Sequence, residues 1–202
     1  MKPKDLIMQI TGLKKYIAIS AFIFILGIVL GYLNLYEGLM ESTLNNMKEL
    51  VKSMDKGNNQ GLRLFGFIIL NNLITIVLII FSGALFAFIP IYFLIMNGMI
   101  IGYLAGHLEG ETRLSLVVGI LPHGIFELTA VVLAGAFGIR FGFLMIDLVI
   151  SLPIAKAREK VWIKFKVFIR STIPLIGVLF VLLLIAAVIE VTVTPWLLGL
   201  NL

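Results

Sequence analysis

Long charge-free runs alternate with short charged clusters along this chain, and that alternation predicts a series of membrane-crossing helices. Of its 16 Lys+Arg and 11 Asp+Glu, five lie in residues 1–15, eight in 34–63, three in 109–113 and seven in 156–170. The gap Tyr16–Leu33 predicts a first span, Leu64–Ile89, closed by Pro90, a second, and the shorter run Ile91–Gly106 a third. Leu114 to Phe137 predicts a fourth. Gly138, Arg140 and Gly142 then predict a break, after which Phe143–Leu152 reads as a short re-entrant or half-helix segment. The last span, Ile173–Ile189, carries Pro174 in its first turn, where proline is tolerated.

The segments between the runs have patterns of their own. Met40, Leu44, Met47, Val51 and Met54 recur every three or four residues, the stripe of an amphipathic helix that the stretch Lys56–Gly61 ends. That helix fits either a membrane interface or a docked partner. Residues 155–170 set Val161, Trp162, Phe165 and Phe168 among six bases and one acid, predicting a basic juxtamembrane helix. The expected fold is all-α: one integral membrane domain over residues 1–202, a polytopic bundle of five spans plus the half-helix segment, with six spans as the alternative.

Composition narrows the function classes. Apolar residues make up 60% of the 202 and charged residues only 13%, against roughly 25% in soluble domains, which excludes a soluble globular protein. At about 20 residues per crossing the apolar content allows at most about six spans and leaves no room for a soluble catalytic domain. With no cysteine, disulfides and thiolate metal sites are excluded, and two histidines rule out an all-histidine metal centre within one chain. The net charge of +5 follows the positive-inside bias rather than a nucleic-acid partner. Residues 1–15 and 156–170 should therefore share the cytoplasmic side of a cell membrane. This places the N-terminus inside, the polar segment 34–62 outside and the C-terminus outside. Tyr16–Leu33 reads as an uncleaved anchor, being longer than the roughly 7–15 residues of a signal-peptide core.

Four charged residues stand outside the clusters: Glu127, Arg140, Asp147 and Glu190. An ionisable group at membrane depth costs a few kcal/mol or more and is usually paired or functional. The run LPHGIFEL, residues 121–128, adds His123 one turn before Glu127 on the same helix face. Pro122 either begins that helix or kinks a longer one. Such a pair fits a satisfied structural network, or an ion or substrate site on a broken helix as in transporters. Asn71 and Asn72 point about 100° apart, so hydrogen bonding between helices is expected of them. Small residues at spacing four, Gly98, Gly102 and Gly106 and then Ala134, Gly138 and Gly142, predict close helix approach, within the chain or across a homodimer axis, as do Gly124 and Gly135. Chemistry has little to stand on. There is no HExxH pair, no GxSxG nucleophile and no phosphate loop ending in GK[ST]. A metal at His123 and Glu127 would need help from His107, Asp147, Glu190 or another subunit, so no enzyme activity, metal or cofactor is expected.

The run ILPHGIFELTAVVLAGAFGIRFG, Ile120–Gly142, resembles the signature of the stage II sporulation protein M family, and AAVIEVTVTPWL, Ala186–Leu197, resembles its second characteristic segment. In endospore formers the named member looks like the membrane anchor of a complex with peptidoglycan-degrading proteins, while many relatives occur in organisms that never sporulate. The resemblance implies a multispan membrane protein, often a scaffold, and carries weight onto His123, Gly124, Glu127, Gly135, Glu190 and Pro195. A non-enzymatic scaffold holding other membrane or envelope proteins is the leading expectation. A small transporter or channel with its site at His123 and Glu127 is the rival.

The orientation is testable in a chain with no native cysteine. A cysteine placed at Lys160 should resist membrane-impermeant thiol reagents in intact cells and react once the cells are opened. Labelling from outside would invert the topology.

Overall fold

The computed structural model describes residues 3–54, 60–107 and 110–197. Among these are six helices and no strand: α1 Pro3–Tyr32, α2 Glu37–Met54, α3 Gln60–Ser82, α4 Phe88–His107, α5 Gly110–Ser151 and α6 Ala155–Leu197. All but α2 are long and apolar enough to cross a membrane, giving five spans. Unable to bond to water in lipid, the backbone must satisfy its polar groups internally, and helices do so without a partner.

Three expectations are corrected. The charge-free stretch Leu64–Ile89 is not one span: α3 ends at Ser82, residues 83–87 turn, and Pro90 sits in the first turn of α4, where its missing N–H has no helical acceptor. Gly83 and Ala87 of the turn pack against α5, while Leu85 and Phe86 leave apolar side chains exposed. Second, no break occurs at Gly138–Gly142, and the half-helix segment Phe143–Leu152 is the end of an unbroken α5, with Leu152 opening the turn to α6. Pro122 lies inside the same helix. Those glycines admit a neighbour. Third, the basic helix and the last span are one helix, α6, with Pro174 in its interior.

At the centre stands α5, which touches α1, α3, α4 and α6. Ala134–Ile139 are buried without interruption, so here the helix is enclosed on every side. Phe137 and Phe141 pack on Phe168 of α6 with ring centroids 5.9 and 4.9 Å apart. A core of Ile76, Ile79 and Ile80 from α3 and Leu179 and Leu183 from α6 closes around them.

Glycines set the remaining approaches. On α4, a Cβ at Gly98 would strike the carbonyl oxygen of Phe24, and one at Gly102 that of Ile28. Opposite them on α1, Gly27 and Gly31 meet the backbone of Ile95 and Met99, so the contact is glycine-lined from both sides and the two helices run in parallel. The sequence reading named only the α4 half, although Gly27 and Gly31 have the same spacing. Gly138 faces Gly83 and Pro90, and Gly142 receives Ala87. That turn holds Phe86 and Ala87 at φ 54° and 69°, a left-handed conformation costing roughly 1–2 kcal/mol per non-glycine residue. Both small-residue stripes are therefore filled within the chain. Ser20 of α1 adds a hydrogen bond to the Val132 carbonyl of α5, 2.7 Å.

α3 and α5 run in the same direction in register, Asn72 level with Glu127 and Gly83 level with Gly138. α1, α4 and α6 run the other way. The start of the first apolar segment thus shares one end of the bundle with the α5–α6 turn, Tyr16 lying 6.0 Å from Phe143 between ring centroids. Of the amphipathic stripe, Met40 is buried and Leu44 half-buried. The side chains of Met47, Val51 and Met54, and most of Lys56–Gly61, lie outside the described residues.

Gly102→Leu should separate α1 from α4 and destabilise the protein by about 2 kcal/mol or more, in the range of overpacked cores. Gly177→Leu, where a Cβ meets open space, should leave the detergent melting temperature unchanged or slightly raised.

Candidate functional site

Five polar side chains from three helices meet in the apolar layer, at the end of the bundle away from the α5–α6 turn. Asn72 of α3 donates from Nδ2 to Glu127 Oε1 of α5 at 2.5 Å. Glu190 of α6 stands one turn before Thr194, on the face that meets α5. One turn along, buried His123 holds Nδ1 3.4 Å from Thr194 Oγ1 of α6, a long and weak contact. Helix periodicity explains the grouping. His123 and Glu127 are one turn apart on α5, as are Glu190 and Thr194 on α6, and the helices are antiparallel, so the two pairs face each other.

His123 was expected to be the direct neighbour of Glu127, and it is not. It turns toward Thr194, leaving Glu127 to Asn72. Of the adjacent amides, Asn72 faces inward while Asn71 is exposed. The role of Asn72 was legible as an amide in an apolar helix, but its partner sits 55 residues away and required the fold. Gly124 is buried beside His123 and Gly135 is closed in by Leu94 and Ser20. The side chain of Pro195 lies outside the described residues.

Arg140 and Asp147 do not join this group. In an unbroken α5, Arg140 stands roughly 20 Å along the axis from Glu127. It lies instead at the basic end, lining a cavity of about 110 Å³ with Tyr16, Asp147 and Lys164. Asp147 pairs with Lys164 at 3.6 Å, both side chains more than half exposed, a contact adding little stability. His107 bonds to the Tyr103 carbonyl at 2.9 Å and stacks on that ring. Among the described residues no group of three or more His, Asp or Glu converges to hold a metal ion.

Four apolar helices around a central fifth, tied by polar groups within the apolar layer, define a polytopic helical membrane protein. Residues 20–195 match the family described as stage II sporulation protein M, and the chain belongs to that family. The matched region takes in both the His123/Glu127 and the Glu190/Thr194 segments. It is also similar to two uncharacterised proteins of Methanocaldococcus jannaschii, 25% identical over 90% of this chain and 82% of the relative, and 28% identical over 89% and 93% respectively. No solved structure matches it.

Glu127→Ala should destabilise the protein by about 1–3 kcal/mol, since it strips Asn72 of its acceptor inside the bundle. Glu127→Gln, which keeps shape and an acceptor oxygen, should cost less. A double-mutant cycle with Asn72→Ala in thermal melts should return a clear coupling energy, and strict additivity would mean that the bond contributes nothing.

Proposed function

We propose that this protein is a non-enzymatic scaffold, a subunit that holds other membrane or envelope proteins in a complex. One observation carries the reading: α5 and α6, of 42 and 43 residues, form an unbroken hairpin about 63 Å long, twice the roughly 30 Å hydrocarbon layer. From Gly142, level with the α3–α4 turn, α5 continues to Ser151 for about 14 Å. A headgroup layer of roughly 5–8 Å does not cover that distance. Yet the tip is apolar, with Ile150 70% and Ile154 62% exposed, beside Leu152, Trp162 and Ile163. Exposed apolar side chains at the end of a hairpin longer than the hydrocarbon layer support a surface that another protein covers. The bases of α6 support an orientation with this tip in the cytoplasm and the C-terminus outside.

A transporter or channel is the second reading, favoured by the convergence of Glu127 and Glu190 with Asn72, His123 and Thr194 in the apolar layer. The two readings predict different losses. Ile150→Ser combined with Ile154→Ser should leave the melting temperature of the full chain unchanged. The assembly extracted from membranes in mild detergent should nevertheless lose mass. An assembly of unchanged mass would remove the scaffold reading. Ion flux in proteoliposomes that disappears in a still-folded Glu127→Gln protein would put the transporter in its place.

A further inference from the structure

At the basic end of the bundle one charge is left over. Arg140 is half-buried, and among the described residues its guanidinium makes no ion pair or hydrogen bond. It lines the cavity of about 110 Å³ whose other walls include Tyr16, Phe143, Asp147, Lys164 and Phe168. Asp147 does not compensate it, being engaged with Lys164. A second cation stands close by, Lys15 with Nζ 4.7 Å from the centre of the Tyr16 ring. The cavity therefore carries excess positive charge.

Its height in the membrane follows from its neighbours. Tyr16 opens the apolar part of α1 directly after Lys14 and Lys15, and its ring lies 6.0 Å from that of Phe143, three residues beyond Arg140. Arg140 thus stands where the chain leaves the hydrocarbon layer. This is the depth of lipid phosphates. A half-buried guanidinium presents a planar fork of donors that two oxygens of one oxyanion satisfy together, and Tyr16 and Lys164 line the same space. A cavity of about 110 Å³ has room for a phosphate group. Phe143, half exposed beside it, leaves the chain of a lipid an apolar surface to lie along.

We infer that Arg140, with Tyr16 and Lys164, forms a binding site for a phosphate monoanion, supplied by the headgroup of an anionic phospholipid. Basic pockets between spans take such headgroups, and here one phosphodiester charge offsets the uncompensated guanidinium. The site is independent of the polar cluster at Glu127 and of any role for the hairpin tip.

The test uses the full chain, purified and delipidated in detergent. Native mass spectrometry would read the retention of added phosphatidylglycerol against phosphatidylcholine, with melting curves of the lipid-free protein as the fold control. The wild type should prefer phosphatidylglycerol, and Arg140→Gln should reduce that preference roughly tenfold or more. Arg140→Lys should keep part of it, because charge survives while the fork is lost. Should Arg140→Gln fail to fold, Lys164→Gln and Tyr16→Phe read the same site with smaller losses. Inorganic phosphate at millimolar concentration separates the sources. Failure to displace the lipid assigns the site to a headgroup, whereas displacement together with phosphate-dependent protection of wild type but not Arg140→Gln assigns it to free phosphate. Equal retention of both lipids by the wild type, or a preference untouched in folded Arg140→Gln, overturns the proposal.

Discussion

Backbone against backbone at glycine is the contact on which this bundle depends. In lipid, helices gain nothing from hiding apolar surface, since the solvent is equally apolar, and association rests on close van der Waals contact and on hydrogen bonds. Gly27 and Gly31 of α1 against Gly98 and Gly102 of α4 bring two parallel helices together with no side chain between them. Gly138 and Gly142 then let the α3–α4 turn lodge against the centre of α5. Glycine inside a helix costs roughly 0.5–1 kcal/mol relative to alanine, so four such positions on α1 and α4 make sense only where the approach gains more.

Polar contacts take over where glycine is absent. α3 and α6 hold α5 through phenylalanine and isoleucine packing and through the group around Glu127. One bond, from Asn72, ties α3 to α5 in the apolar layer. The polar site and the glycine contacts are thus the same helices seen at two heights. The central helix carries the His123/Glu127 face at one level and Gly138, Arg140 and Gly142 at another, and the surrounding helices determine what each meets.

Much of this was legible in the chain. Charge clusters marked the ends of most spans, because water-seeking groups collect where a helix leaves lipid, and the spacing of Gly98, Gly102 and Gly106 marked a real contact. Misreadings share a cause. Gly138 and Gly142 look alike whether a helix breaks or receives a neighbour, and only the Ala87 methyl seated on Gly142 decides it. The turn at residues 83–87 was hidden because it is built of apolar residues, Leu85 and Phe86 among them, and carries no charge to mark it. Arg140 and Asp147 were grouped with Glu127 on composition, whereas a continuous helix holds Arg140 about 20 Å away. The Asn72–Glu127 bond depends on which two helices lie side by side, information that no local pattern contains.

The register between α3 and α5 has a consequence for how such a chain tolerates insertions and deletions. Asn72 and Gly83 are separated by the same number of residues as Glu127 and Gly138, close to three full helical turns. One residue added between either pair would turn everything beyond it by about 100°, carrying the carboxylate away from its amide or the glycine away from the turn. Length between these two levels is consequently locked in both helices at once, and a change in one is tolerable only with a matching change in the other. The loops beyond the levels carry no such restriction, so variation in length should gather there.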